Sequence, residues 1–287
     1  MLNSTTSDTP QTITLDGSQL IYRTAGDPAL PPLIMIHGWT SYQGVWNDAV
    51  ETLKDHYYCI TLDLLGHGYS DKPKNADYSI EAQARRVLAL ADSLGFERFS
   101  LMGHSMGGQI SLCIAGMLAP ERVERLVDVS GVAAAKLMPA VEWLVYPVVW
   151  LTAQLPWLMA VHRWVTAFRP AAWFYFGRAW YYDIRRIPRE VWYQDSRYSY
   201  QAGAIHAYHA CGQAIHNLDV TPHLPRIQAD TLIIFGKQDR TVPISDAHLA
   251  AARIPHSQLT LFDECGHFPM VEYPQKFNEA LGEFFGF

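Results

Sequence analysis

A series of short apolar runs, rich in branched side chains, constrains this chain more than any other feature: LIMI (33–36), YYCITL (57–62), FSLM (99–102), RLVDVS (125–130), TLIIF (231–235) and LTLF (259–262). Each is too brief for a helix and reads as a strand buried on both faces. Helix-like stretches separate most of them. Residues 81–94 group Ala82, Ala84, Val87, Leu88, Leu90 and Ala91 at helical period, and a second stretch covers 107–118. Buried strands alternating with helices predict an α/β fold with a mainly parallel, doubly wound sheet. Ahead of them, QTITLDGSQLIYRTAG alternates on either side of Asp16-Gly17, which predicts an opening antiparallel hairpin. With 49% hydrophobic and only 17% charged residues, the chain suits a large buried core and not disorder.

One interval breaks the rhythm. No strand-like run occurs between Gly131 and Thr231, and most of the tryptophans and tyrosines fall there. Residues 132–224 are therefore expected to form an inserted, mostly helical cap on a core made of 1–131 and 225–287. Within the cap Lys136 and seven arginines oppose five carboxylates, a net charge of +3 against −6 for the whole chain, which leaves −9 for the core. With that overall charge and no Lys/Arg run, a nucleic-acid backbone is not the expected partner, because phosphates need a basic footprint. Cys59, Cys113, Cys211 and Cys265 are scattered and form no C-x-x-C pair, so reduced thiols are expected. Met1 to Pro10 are polar and lack the basic start and apolar run of a signal peptide, so a cytoplasmic location is the default expectation.

The chemistry centres on Gly103-His104-Ser105-Met106-Gly107. A serine hydroxyl is a weak nucleophile at neutral pH and needs a base, an acid to orient that base, and donors for the developing oxyanion. Ser105 follows a strand run and opens a helical stretch, the context that a G-x-S-x-G nucleophile elbow requires. Gly103 and Gly107 leave room for the crowded turn. An acid and then a base should follow, each in a loop after a late strand. Asp239 stands just beyond TLIIFG, and His267 follows LTLF within Glu264-Cys265-Gly266-His267-Phe268-Pro269. In these roles His267 takes the Ser105 proton and Asp239 holds the imidazole tautomer. The expected oxyanion donors are the backbone N–H of Met106 and, from the loop after LIMI, the N–H of Trp39.

Taken together, His37-Gly38-Trp39, Asp63 to Ser70, Gly103 to Gly108, Gly236-x-x-Asp239 and Gly266-His267-Phe268 resemble the α/β-hydrolase superfamily across the core. The resemblance implies an eight-stranded, mostly parallel sheet with helices on both faces and a cap between strands six and seven. It carries the triad onto Ser105, Asp239 and His267 and implies a mainly structural role for the Asp63–Ser70 loop. Haloalkane dehalogenases and epoxide hydrolases use an aspartate where this chain has Ser105, which speaks against both activities, and cofactor-free haloperoxidases tend to have smaller caps. The leading expectation is a carboxylic-ester hydrolase of the esterase or lipase kind, acting on an ester with a hydrophobic acyl or aromatic part. Carbon–carbon bond hydrolases of aromatic ring cleavage are the rival. A low-turnover ligand receptor on the same fold is the alternative from another class.

Residues 143–162 contain no Asp, Glu, Lys or Arg. A membrane span there would put strands of one sheet on opposite sides of a bilayer, and Pro147 and Pro156 are expected to break the run into short helical pieces. Its apolar face is expected to pack on the core and to line an acyl pocket. Peripheral contact with a membrane surface, with Arg163, Arg169 and Arg178 near anionic headgroups, is a further expectation. His206, His209 and His216 have helical spacing but no obvious additional ligand, so neither a metal site nor a cofactor is expected.

Overall fold

In a computed structural model of the chain, which describes residues 9–155, 157–158, 160–161, 164, 177–187, 201 and 203–287, the first element is the expected hairpin. Asp16 and Gly17 both take left-handed φ values of 49° and 74°, the pair of conformations that matches a two-residue turn to the twist of its strands. The turn joins β1 (Gln11–Leu15) to β2 (Ser18–Ala25), with Leu15 opposite Ser18.

Six further strands follow: β3 (Pro32–Ile36), β4 (Tyr58–Leu62), β5 (Phe99–His104), β6 (Val123–Val129), β7 (Asp230–Gly236) and β8 (Ser257–Phe262). The eight strands form one sheet in the order β1-β2-β4-β3-β5-β6-β7-β8. From β4 to β8 every pairing is parallel, and β2 joins β4 antiparallel. The continuous apolar runs are explained by two cores. Ile34, Ile36, Phe99, Leu101, Leu126, Ile233 and Phe235 point into one, while Leu33, Met35, Met102, Val127, Val129, Leu232 and Ile234 point into the other. Because side chains alternate along a strand, a sheet covered on both faces needs apolar residues at consecutive positions.

Helices supply the covers. Helices α1 (Asn47–Leu53), α2 (Ile80–Ser93) and α3 (Met106–Cys113) come from the first half of the chain. Then come α4 (Tyr146–Gln154), α5 (Ala204–Asn217), α6 (Ile244–Arg253) and α7 (Pro274–Phe285). Ser79 caps α2, its hydroxyl accepting from the N–H of Ala82 at 3.2 Å. The first core takes apolar residues of α2, α3 and α6, and the second takes those of α1 and α7.

Between β6 and β7 the described residues are helical or irregular, and α4 and α5 belong to this insert. Its two ends are tied together: Val220 N–H donates to Ala133 O at 3.0 Å, and Asp246 of α6 accepts from the N–H groups of Ala133 (2.8 Å) and Ala134 (3.0 Å). Pro147 does not break the apolar run as the sequence suggests. It lies in the first turn of α4, directly after a π turn at Val141–Val145, where a proline's missing N–H is tolerated. The break comes at Leu155, whose φ of −126° and ψ of 76° leave the helical region, as expected of a residue that precedes proline.

Candidate active site

Ser105 sits between β5 and α3 with φ 57° and ψ −117°, a conformation that costs a non-glycine residue roughly 1–3 kcal/mol. Its surroundings impose that conformation. Ser105 N–H donates to Val129 O at 2.9 Å, and Ser105 O accepts from Gln109 N–H at 3.0 Å. A Cβ on Gly103 would run into the carbonyl of Gly107, and one on Gly107 into the carbonyl of Ile36. The glycines singled out in the sequence thus let the turn press against both its own helix and β3.

Asp239 and His267 stand beyond the carboxyl ends of β7 and β8. His267 Nδ1 lies 2.8 Å from Asp239 Oδ2. The other carboxylate oxygen accepts the N–H groups of Thr241 (2.7 Å) and Val242 (3.0 Å), which fixes the rotamer of Asp239. With Nδ1–H directed at a carboxylate, Nε2 is the nitrogen left to act as a base. All three side chains are buried. The serine side and the histidine side meet through His104, whose Nε2 lies 2.8 Å from His267 O and whose ring centroid is 4.7 Å from that of His267. A carbonyl only accepts, so His104 Nε2 carries the proton, and burial pushes the imidazole well below its usual range.

The loop after β3 lies against Ser105, since a Cβ on Gly38 would be 3.0 Å from Ser105 Cβ. Trp39 is the next residue of that loop. Met106 N–H, at the first residue of α3, has no intrahelical partner by position. His37 braces the loop: Nε2 accepts from Leu64 N–H at 3.0 Å and Nδ1 donates to Gly38 O at 2.8 Å, while burial lowers its pKa. Asp63 in turn accepts from the N–H groups of Gln43 (2.8 Å) and Tyr69 (2.9 Å), which is structural work.

The family described as "alpha/beta hydrolase fold" matches residues 31–274. The chain belongs to the alpha/beta hydrolase fold family. The pimeloyl-[acyl-carrier protein] methyl ester esterase of Nitrosomonas europaea is 26% identical over 247 residues, covering 86% of this chain and 92% of that protein. A 2-hydroxymuconate semialdehyde hydrolase of Pseudomonas sp. is 29% identical over 268 residues, covering 88% and 86%. A solved structure of a hydrolase from Pseudomonas aeruginosa superposes with a TM-score of 0.79 at 25% identity, over 98% of this chain and all of that one (100%).

Around this alpha/beta hydrolase site the structure adds groups that the sequence does not single out. Residues 179–182 of the insert form a strap across the acid and histidine loops. Thr241 Oγ1 donates to Ala179 O at 2.8 Å, and His267 N–H donates to Trp180 O at 2.7 Å. Glu272 accepts from the N–H groups of Tyr182 and Gly266, each at 2.8 Å, and burial raises its carboxyl to about 7. Behind the Ser105 turn, Asp128 of β6 is buried, and its Oδ1 has no hydrogen-bond partner among the described residues. Burial, aided by Asp246, pushes it up to about 7. The insert also reaches the loop after β3: Trp39 Nε1 donates to Tyr208 O of α5 at 2.7 Å. Of the insert histidines on α5, His216 stands 3.4 Å from Glu142, and among the described residues no three His, Cys, Asp or Glu side chains cluster as a metal would need. All four cysteines are free and buried. Arg163 and Arg169 lie outside the described residues, as does the side chain of Arg178.

Proposed function

We propose that this hydrolase cleaves carboxylic esters with a hydrophobic acyl or aromatic part through an acyl-enzyme on Ser105. The observation that carries the reading is the hydrogen-bonded Asp239–His267 pair at the same end of the sheet as a serine held in a strained strand-to-helix turn. In this mechanism Ser105 Oγ attacks the ester carbonyl as His267 Nε2 takes its proton. The N–H groups of Met106 and Trp39 receive the oxyanion, and His267 returns the proton to the departing alkoxide. Water then attacks the acyl carbonyl with His267 again as base, releasing the acid and restoring Ser105. Asp239 keeps Nδ1–H in place and stabilises the imidazolium throughout. The esterase of Nitrosomonas europaea supports ester chemistry.

The semialdehyde hydrolase relative favours a second reading, hydrolysis of a carbon–carbon bond by the same three side chains. A fluorophosphonate probe tests the activated serine: the native protein is expected to be labelled and Ser105→Ala is not. Lack of labelling in the native protein would overturn both readings. A series of p-nitrophenyl esters of increasing acyl length then separates them. Turnover that rises with acyl length supports the ester reading, and labelling without turnover at any length moves the assignment to carbon–carbon cleavage.

A further inference from the structure

Trp143, Trp150, Trp157 and Trp164 recur every seven residues in the insert, and they are 78%, 47%, 66% and 79% exposed. Leu144, Leu151, Leu155 and Val161 are exposed beside them. The helical run that carries the first two of these tryptophans also buries Val141, Val145, Val149 and Ala153 on its inner side. It is therefore apolar on both faces, while among the described residues only one is covered. A helix apolar all round is at rest only when it is surrounded, and a contiguous exposed patch of this kind marks a surface with a partner.

The chemistry of the patch selects the partner. From Trp143 to Tyr182 the sequence has no aspartate or glutamate but has Arg163, Arg169 and Arg178, and the insert as a whole carries +3 against −9 for the core. Glu142, the carboxylate at the edge of the patch, is turned toward His216 on α5, with 3.4 Å between Oε1 and Nε2. An anionic surface would attract the insert and repel the rest of the molecule. A second copy meeting insert to insert would oppose two like charges. A helical protein partner would need apolar residues at alternating three- and four-residue steps, yet the residues three after Trp143 and Trp150 are Tyr146, which stacks on His209, and buried Ala153. Tryptophan is also the side chain that favours the boundary between headgroups and acyl chains, where its ring is dry and its N–H is wet. Among the described residues no helix is long and apolar enough to cross a membrane, so the patch is suited to lying on a bilayer.

We propose that the outward face of the insert, built on Trp143, Trp150 and Trp157, docks the protein on the surface of an anionic phospholipid bilayer. The proposal is independent of the ester reading because binding is measured without turnover. Purified full-length protein is mixed at low salt with vesicles of phosphatidylcholine alone or of phosphatidylcholine with about one-third phosphatidylglycerol, then floated through a density gradient. Co-flotation is expected with the anionic vesicles, with a blue shift of tryptophan emission, and is expected to weaken as salt rises. The triple variant W143S/W150S/W157S changes only exposed positions and should keep the native circular dichroism and melting temperature while losing about tenfold or more of its vesicle binding. Absence of native flotation on anionic vesicles overturns the proposal, as does full binding by the folded variant. A native dimer that the variant converts to a monomer, without vesicle binding by either, assigns the face to a second copy and overturns it equally. If the triple variant does not fold, quenching of native tryptophan emission by bromine-labelled lipid decides, and no quenching overturns the proposal.

Discussion

Strand β5 and helix α4 both carry large apolar side chains, yet every residue of β5 is buried and α4 leaves Trp150 and Leu151 in the open. The difference lies in what surrounds each element. β5 is the strand between β3 and β6, with a hydrophobic core on each face, so its run of apolar residues is matched on every side. α4 packs on α5 along one stripe, and among the described residues its other side is exposed. Large apolar side chains thus meet a complete environment in the sheet and, among the described residues, an incomplete one in the insert. Polar order follows the same division. Asp63, Asp239 and Asp246 each accept two backbone N–H groups, and these contacts hold loops of the core and the ends of the insert.

This contrast can be broken at several depths. Asp239→Asn keeps the size of the side chain but removes the charge that fixes Nδ1–H, and ester turnover should fall by roughly 10⁴-fold with folding intact. Steady-state rates of the folded variant check it, and a loss below about tenfold would remove Asp239 from the machinery. Gly107→Ala forces a methyl group into the carbonyl of Ile36, backbone against backbone, so no side chain can yield. A destabilisation of about 3 kcal/mol or more is expected in urea unfolding, and an unchanged midpoint would contradict the crowding seen at the turn.

Asp128 gives a pH test of the same core. With its carboxyl raised from 3.8 to about 7, the folded protein holds a proton that the unfolded chain has already released between those values. Stability therefore contains a contribution that is complete below 3.8 and is lost as pH rises to about 7. Asp128→Asn should flatten that slope and raise stability on the alkaline side by on the order of a few kcal/mol, read as melting temperature against pH. An unchanged slope would show that Asp128 is not titrating there. The smallest effect belongs to the insert: Trp143→Ser, at an exposed position, should change stability by less than about 0.5 kcal/mol. A larger loss in thermal unfolding would mean that the outward face is already packed against something, and the contrast with β5 would fail.

Much of the sheet was legible because a strand buried on both faces leaves an unbroken apolar run, and all six such runs form strands. Their ends were less legible. β5 continues through Gly103 and His104, and β6 starts at Val123, because pairing with the neighbouring strands extends order past the apolar residues themselves. Ser105, Asp239 and His267 stood out because each follows a strand, and strand order carries them to one end of the sheet. The strap at 179–182 was not legible. It works through carbonyl oxygens and N–H groups, which every residue has and which no residue type announces. His104 was read only as part of the turn, since its hydrogen bond to His267 O joins residues far apart in the chain. Asp128 was hidden inside an apolar run, where a buried unpaired acid looks like any other strand position.

The strap also bears on how such proteins can be rebuilt. Because His267 N–H rests on Trp180 O and Gly266 N–H shares Glu272 with Tyr182, the insert is no detachable module that can be exchanged at its two junctions. A chimera that imports another protein's insert between residues 132 and 224 removes the strap that holds the histidine loop. Grafts that keep residues 177–187 of the recipient retain that strap, so the transferable part of the insert ends before Gly177.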